Sequence, residues 1–376
     1  MPRSPDTVKV QLVDGSGEID NFTSLSITNS MTEPSEASIE FGDDYTFPAL
    51  SEHVALGRQY KVFVNGRLRL TGRIESEDVP ADAGGGSVTR FVIKTKLSDA
   101  CFTSAEPAVK VKNTSIKAFL LNIYMPLGYE EKDFTLSPYL SRDLITGVDS
   151  SGQGSPGRID LEPLKVDQAK VQASESIFDA ADRHLRRHGL IHWDSPDGRI
   201  VVGAPNDTQD PIYFLRCRRT GDVHLNNVIS VNRGRDWSGI PSAVVIHGRS
   251  GKPGSPKSRI TAFARDDEVY NAGLYRPIII SAEGIRKQSL ADRAAQRELS
   301  ARSKNKDTLS IETDSLSYWD GYQNINWAAD TVCSMDSDTA SLSGQAYYIS
   351  RVTLRRDAGG GDMASLSAIK KGVWLL

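Results

Sequence analysis

The stretch Tyr60-Lys-Val-Phe-Val-Asn-Gly-Arg-Leu-Arg-Leu-Thr71 decides the fold class. Two alternating runs flank Asn65-Gly66. A two-residue turn that follows the strand twist needs positive φ at both central positions, and Asn-Gly meets that at least steric cost. The stretch therefore predicts a type I′ hairpin. Upstream, Val8, Val10 and Leu12 alternate with Lys9 and Gln11 and run into Asp14-Gly15. Phe22, Leu25, Ile27 and Ser38-Ile-Glu-Phe41 follow. Downstream, Arg73-Ile74 enters another strand, Asp82-Ala-Gly-Gly-Gly86 is a flexible tip, and Phe91-Val-Ile-Lys94 returns. The opening hundred residues read as an antiparallel all-β unit, sandwich or barrel.

The same phrase occurs again near the other end. Arg351-Val352, Asp357-Ala-Gly-Gly-Gly361 and Ala368-Ile369-Lys370 echo Arg73-Ile74, Asp82-Ala-Gly-Gly-Gly86 and Val92-Ile93-Lys94. Either two hairpins use one kind of tip, or the first and last domains are copies of one β-unit.

Between them the period changes. Ile116, Phe119, Leu120 and Ile123 make a helical stripe, capped by Asn113 or Thr114 and ended by Pro126 and Gly128. A second helix is predicted from about 175 to 188, starting after Ser174 and stopping at Gly189, with Ile177, Ala181 and Leu185 facing in. Leu190-Ile-His-Trp193, a Ser-Pro-Asp-Gly turn and Arg199-Ile-Val-Val202 form a hairpin. Strands at 212–215, 227–231, 242–246 and 275–280 follow, then a helix at about 289–303 and a final β region.

Composition narrows the function. The 376 residues carry 45 Lys+Arg against 48 Asp+Glu, which fits two or three globular domains. The 39% hydrophobic content excludes chain-wide disorder. No apolar run approaches the ~20 residues of a membrane span, and the first residues lack the apolar core of a signal peptide. Cys101, Cys217 and Cys333 are far apart, so a disulfide framework or a cysteine zinc site is excluded. The near-neutral balance argues against a dedicated nucleic-acid binder.

The motifs of hydrolases, zinc proteases and nucleotide binders, GxSxG, HExxH, Walker A and a strand-linked GxGxxG, are absent. His184, His188 and His192 fall at i, i+4 and i+8. Two histidines one helical turn apart can chelate a metal. The third, however, lies beyond Gly189, and Arg183, Arg186 and Arg187 repel a dication. The better reading is a solvated, arginine-rich face, with no metal and no cofactor. Asp43-Asp44, Glu130-Glu131 and Asp266-Asp267 read as surface. Trp319, Tyr322 and Trp327 fill the second barrel rather than form a sugar platform. Two stretches remain as interface candidates. One is the basic loop with Arg249, Lys252, Lys257 and Arg259. The other is the apolar tail Trp374, Leu375 and Leu376, which either packs as a last strand or meets a neighbouring subunit. Arg216-Cys-Arg-Arg219 is a further basic cluster, with no aromatic residues interleaved to stack bases.

The order of elements resembles the central baseplate hub proteins of contractile phage tails, of the phage Mu type, which are related to the N-terminal part of VgrG spike proteins. The resemblance runs over most of the chain. Its characteristic stretches are Val171-Gln-Ala-Ser-Glu-Ser-Ile-Phe-Asp-Ala-Ala181, Gly189 through Val202, Pro205 and Tyr348-Ile-Ser-Arg-Val352. It implies an α+β, mainly β chain with two similar antiparallel β-barrels. The first spans 1–104, completed by strands from about 200–225. A small α+β insert spans 105–205, and the second barrel spans 226–376 with the helix at about 289–303. It also implies a non-enzymatic homotrimer in the virion tail baseplate, assembled in the host cytoplasm. That hollow adaptor joins the sixfold tail tube or its terminal ring to the threefold central spike. Tape measure and wedge proteins are further neighbours. DNA passes through without specific binding, and no membrane is entered. The competing readings are a tail-associated cell-wall hydrolase and the equivalent hub of a secretion or non-contractile tail system.

Overall fold

In the computed structural model, the described residues are 5–15, 17–19, 22–42, 54–79, 88–106, 110–135, 165–172, 174–186, 190–207, 209–249, 259–282, 285 and 288–372. Strand accounts for 48% and helix for 18%, so the chain is mainly β.

The chain opens with β1 (Val8–Leu12), β2 (Glu18–Ile19), β3 (Ser24–Ser30), β4 (Glu36–Gly42), β5 (Gln59–Val64), β6 (Arg67–Asp78) and β7 (Val88–Lys94). The β5–β6 turn has Asn65 at φ 52 and Gly66 at φ 72, both left-handed as a type I′ turn requires. Asn65 also holds the turn down, accepting from the Thr7 N–H at 2.8 Å. Alternate residues such as Val10, Leu12, Val62, Val64, Ile39 and Ile93 bury into one core.

Next come α1 (Ser98–Phe102), β8 (Lys110–Ser115), α2 (Ile116–Tyr124), β9 (Phe134–Thr135), β10 (Lys165–Lys170), α3 (Ile177–Arg186), β11 (Ile191–Asp194) and β12 (Ile200–Gly203). Both main helices bury the expected stripe: Phe119, Leu120 and Ile123 in α2, and Ile177, Ala181 and Leu185 in α3. Their caps differ from the sequence reading. Asn113 and Thr114 belong to β8, and the Ser115 hydroxyl accepts from the Ala118 N–H at 3.1 Å. The α3 start is held by Ser176, whose hydroxyl accepts from the Asp179 N–H at 3.0 Å. In both cases the serine nearest the first buried residue is the cap.

The remainder holds β13 (Tyr213–Arg216), β14 (Ser230–Arg235), β15 (Ala243–Arg249), β16 (Arg259–Arg265), α4 (Asp267–Asn271), β17 (Pro277–Ala282), α5 (Gln288–Ser303), β18 (Asp307–Thr313), β19 (Ser317–Trp319), β20 (Asn324–Asn326), β21 (Thr331–Ser337), β22 (Leu342–Asp357) and β23 (Gly361–Lys370). Strands from 200–225 do not complete the first sheet. β12 pairs with β11 and β9, and β13 pairs in parallel with β21. Tyr213 explains the second pairing: its ring packs with Trp327 and Tyr318, both in the late part of the chain. Nor does α5 sit on the main sheet. It covers the separate sheet β16–β15–β17, where Val244, Ile246, Ile260 and Ala262 meet Ala291 and Ala295.

The late part repeats the early part. The early strands run β3-β4-β7-β6-β5, and the late strands run β14-β18-β23-β22-β21, every contact antiparallel. Each element has its counterpart in the same chain order. The two sets then fuse, because β22 also pairs with β3 from Arg351↔Ser30 to Asp357↔Ser24. The result is one thirteen-stranded sheet over one continuous core. No pairing among the described residues closes either set into a barrel.

Asp6 clamps the junction. Its carboxylate accepts from Asn65 Nδ2, Ser315 Oγ, Ser317 Oγ and the Leu316 N–H at 2.6–2.9 Å. Burial works to raise its pKa, but these bonds prevail and hold it below the ordinary value.

Candidate assembly surfaces

Arg249 and Arg259 are register partners at the open end of the β15–β16 pair, so the basic loop is a hairpin connection. Arg259 is exposed. Lys252 and Lys257 lie outside the described residues, as do Trp374, Leu375 and Leu376.

Two arginines of the other basic cluster already have an acidic partner, while Arg219 is exposed. Arg216 and Arg218 reach Asp336 at 3.5 and 3.0 Å. Asp338 accepts from the Thr220 hydroxyl and from the backbone N–H groups of Arg219 and Thr220, which hold its carboxyl down at about 2. At Arg216 and Arg218 a phosphate would have to displace Asp336.

The histidines do not form the expected solvated face. His184 is buried with its ring 4.9 Å from Phe119. His192 is also buried, its Nε2 2.8 Å from the Tyr124 hydroxyl and its ring 4.4 Å from Phe178. Burial pushes the His192 pKa down to about 3, so the ring is neutral. Arg186 is exposed and pairs with Asp182, half-buried Arg183 pairs with Glu175, and Arg187 lies outside the described residues. His188 lies outside the described residues, and no cluster of three metal-binding side chains occurs among the described ones.

The remaining polar candidates have structural work. Asp266 caps α4 and pairs with Lys306 at 2.8 Å. Glu130 closes a capping box with Asp133, and Glu131 pairs with Lys117. Asp43-Asp44 lies outside the described residues. Cys333 is buried, which pushes its thiol up to about 12, and burial takes Cys101 to about 11; neither is a ready nucleophile. A shallow cleft of about 280 Å³ lies over Ser26, Thr28, Glu36, Ser38, Ser76 and Lys94, where one carboxylate and one ammonium stand among hydroxyls on neighbouring strands. Among Trp319, Tyr322 and Trp327, only Trp327 is core; Tyr322 is 90% exposed.

Two surfaces escape the sequence reading. On the face of β16–β15–β17 away from α5, Phe263 and Ile279 flank Val245 in register and are 60% and 66% exposed. The alternation Ile260-Thr-Ala-Phe-Ala264 signals this strand, but it directly follows a Gly/Pro-rich loop that masks it. The second surface is backbone. β14 ends the large sheet, and β6 beyond Ile74 pairs only with β7, so each leaves one edge open among the described residues. Such edges are templates for strand addition.

No protein-family model matches the chain, and no curated protein sequence matches it. The fold is nonetheless that of phage tail proteins. The tail protein of Neisseria meningitidis MC58 superposes with a TM-score of 0.77 at 16% identity, over 99% of this chain and 98% of that one. The 43 kDa tail protein of prophage MuSo2 from Shewanella oneidensis gives 0.74 at 16% identity, over 98% and 99%. The E. coli c3393 protein, a type VI secretion component with structural similarity to T4 tail proteins gp27 and gp5, gives 0.55 at 10% identity, over 96% and 76%. The sequence-level resemblance to a Mu-type hub therefore holds at the level of fold.

Proposed function

We propose that the chain is the structural, non-enzymatic hub of a contractile phage tail baseplate. Three copies form a hollow adaptor between a sixfold tail tube and a threefold central spike, and DNA passes through the middle. The reading keeps two barrel domains per chain, 1–104 and 226–376, with the α+β insert 105–205 between them. The observation that carries it is the strand order used twice. A trimer of a duplicated chain presents six similar units, so a threefold object can meet a sixfold ring without leaving half its sites unmatched. The net charge of -3 suits a passage that should not hold DNA. Spike, tube or tube-terminal ring, tape measure and wedge proteins are the partners on this reading, and the virion tail is its location, after assembly in the host cytoplasm.

Native mass spectrometry at micromolar concentration tests it. A trimer is expected; a monomer, both alone and mixed with the spike, would overturn it. The likeness to the c3393 protein favours one second reading, the equivalent hub of a secretion system. Co-purification of a sheath-and-tube particle carrying packaged DNA distinguishes the phage reading. A peptidoglycan zymogram is expected to stay blank, and a cleared band at the mass of the chain would favour the hydrolase instead.

A further inference from the structure

The seam inside one chain has a counterpart that the chain leaves unmade. β22 gives its edge from Arg351 to Asp357 to β3. The repeated strand order equates β3 with β14 and β22 with β6. Among the described residues both counterparts have that same edge open: β14 ends the sheet path, and β6 beyond its second bulge pairs only with β7. We infer that β14 of one copy pairs antiparallel with the end of β6 of a second copy of this chain, repeating the β3–β22 seam between molecules. The inference rests on the trimeric hub reading and supplies its contact.

The register can be carried across. Within the chain, Val352 faces Asn29 and Thr353 faces Thr28. Matching the bulges of β6 to those of β22, and the β4 and β18 partners of β3 and β14, places Glu77 opposite Arg235 and Asp78 opposite Gly234. The chemistry of the two edges agrees with that register. β6 ends in Glu75-Ser-Glu-Asp78, and β14 carries Arg233-Gly-Arg235. Glu77, Asp78 and Arg235 are exposed. In an antiparallel pair Glu77 would share a face with Arg235 directly opposite, which stabilises, and like charges there would repel; Arg233, on the diagonal, is already paired with Asp307 of its own copy. Backbone bonds give the affinity of such an added strand and the side chains set its register. The contact is head to tail, each copy offering β14 to one neighbour and β6 to the other, the arrangement that closes into a ring.

The test uses the full chain. A Glu77→Cys, Arg235→Cys double variant is oxidised and run on a non-reducing gel, with each single variant as control for the three native cysteines. A covalent trimer is expected from the double variant alone. In parallel, Glu77→Arg or Arg235→Glu is expected to weaken the trimer at least about tenfold, and the double reversal to restore it to within about threefold. A native trimer that neither cross-links nor responds to reversal overturns this contact and leaves the hub reading standing. A wild-type monomer overturns both.

Discussion

Glu75 and Ser350 hold the same place in two hairpins: each is the residue left over where its strand steps in register against β7 or β23. Arg69 and Gly344 are likewise the extra residues against β5 and β21. Gly344 stands as far after Arg69 as Ser350 after Glu75, and as Asp357 after Asp82 in the sequence. A bulge bends and twists a strand at one defined point. Chance reuse of a glycine tip would not bring two bulges at matched spacing and a matched strand order with it. The hairpin echo is therefore part of a repeated strand order that runs through all five strands of each set.

The copies differ in how tightly the backbone is held, and that difference is measurable. Gly344 is at φ +70 with only a distant neighbour, so Gly344→Ala should cost about 1 kcal/mol of backbone strain. Gly72 has no positive φ, but a Cβ there would overlap the Lys94 carbonyl. Gly72→Ala should therefore cost clearly more, about 2 kcal/mol or above, because β7 must move. Urea unfolding midpoints of the two variants check the order; equal losses would show that the β6–β7 approach is looser than described.

Asp194 fastens the insert to the first sheet. Its buried carboxylate accepts from the Ser35 N–H and Ser35 hydroxyl at 2.8 Å each, and from the Thr95 hydroxyl. Asp194→Ala would leave three buried donors without an acceptor. At about 1–3 kcal/mol for each lost partner, at least about 3 kcal/mol should go. Asp194→Asn keeps one acceptor oxygen and should lose distinctly less. Thermal unfolding of both variants checks this, and equal losses would point to the charge rather than the bonds.

Legibility follows the range of the forces. The Asn65-Gly66 turn and the helix stripes are local and readable, since turn sterics and a 3.6-residue period act within a few residues. The caps at Ser115 and Ser176 lie one or two positions from those expected, because several Ser, Thr and Asn residues compete and only the buried stripe picks among them. The pairing of β13 with β21 is not readable, because it depends on Tyr213 meeting Trp327 more than a hundred residues away in sequence. Charge and apolarity select the interface candidates; they mark basic loops but are blind to open backbone edges such as β14.

Acid should weaken the insert through His192. Unfolded, its ring titrates near 6.5; folded, burial holds it near about 3. Between those values the unfolded chain binds the extra proton. The contribution is thus full above pH 6.5 and is lost as pH falls toward 3, at up to about 1.4 kcal/mol per pH unit. Asp194 and Asp182, raised by burial, act in the opposite sense. Urea midpoints between about pH 7 and 4.5, a window inside which only the unfolded ring charges, should fall for the wild type and fall less for His192→Phe. Parallel slopes would show that the ring is protonated in the fold.

The tryptophans give a final separation between core and surface. Trp327 is 1% exposed, packs 4.7 Å from Tyr213 and 5.6 Å from Tyr318, and donates from Nε1 to the Ser315 carbonyl at 3.1 Å. Tyr213 in turn donates to the Asn326 carbonyl at 2.8 Å, so the ring cluster ties β13 to β20. Trp327→Ala should cost about 3–5 kcal/mol, as a large buried ring leaves a cavity. Trp327→Phe should recover part of that, losing the Nε1 bond but keeping most of the packing. Tyr322 is 90% exposed and belongs to no buried cluster, so Tyr322→Ala should stay within about 0.5 kcal/mol of the wild type. Urea unfolding of the three variants checks the order, and a loss at Tyr322 as large as that at Trp327 would place the ring of Tyr322 in the core.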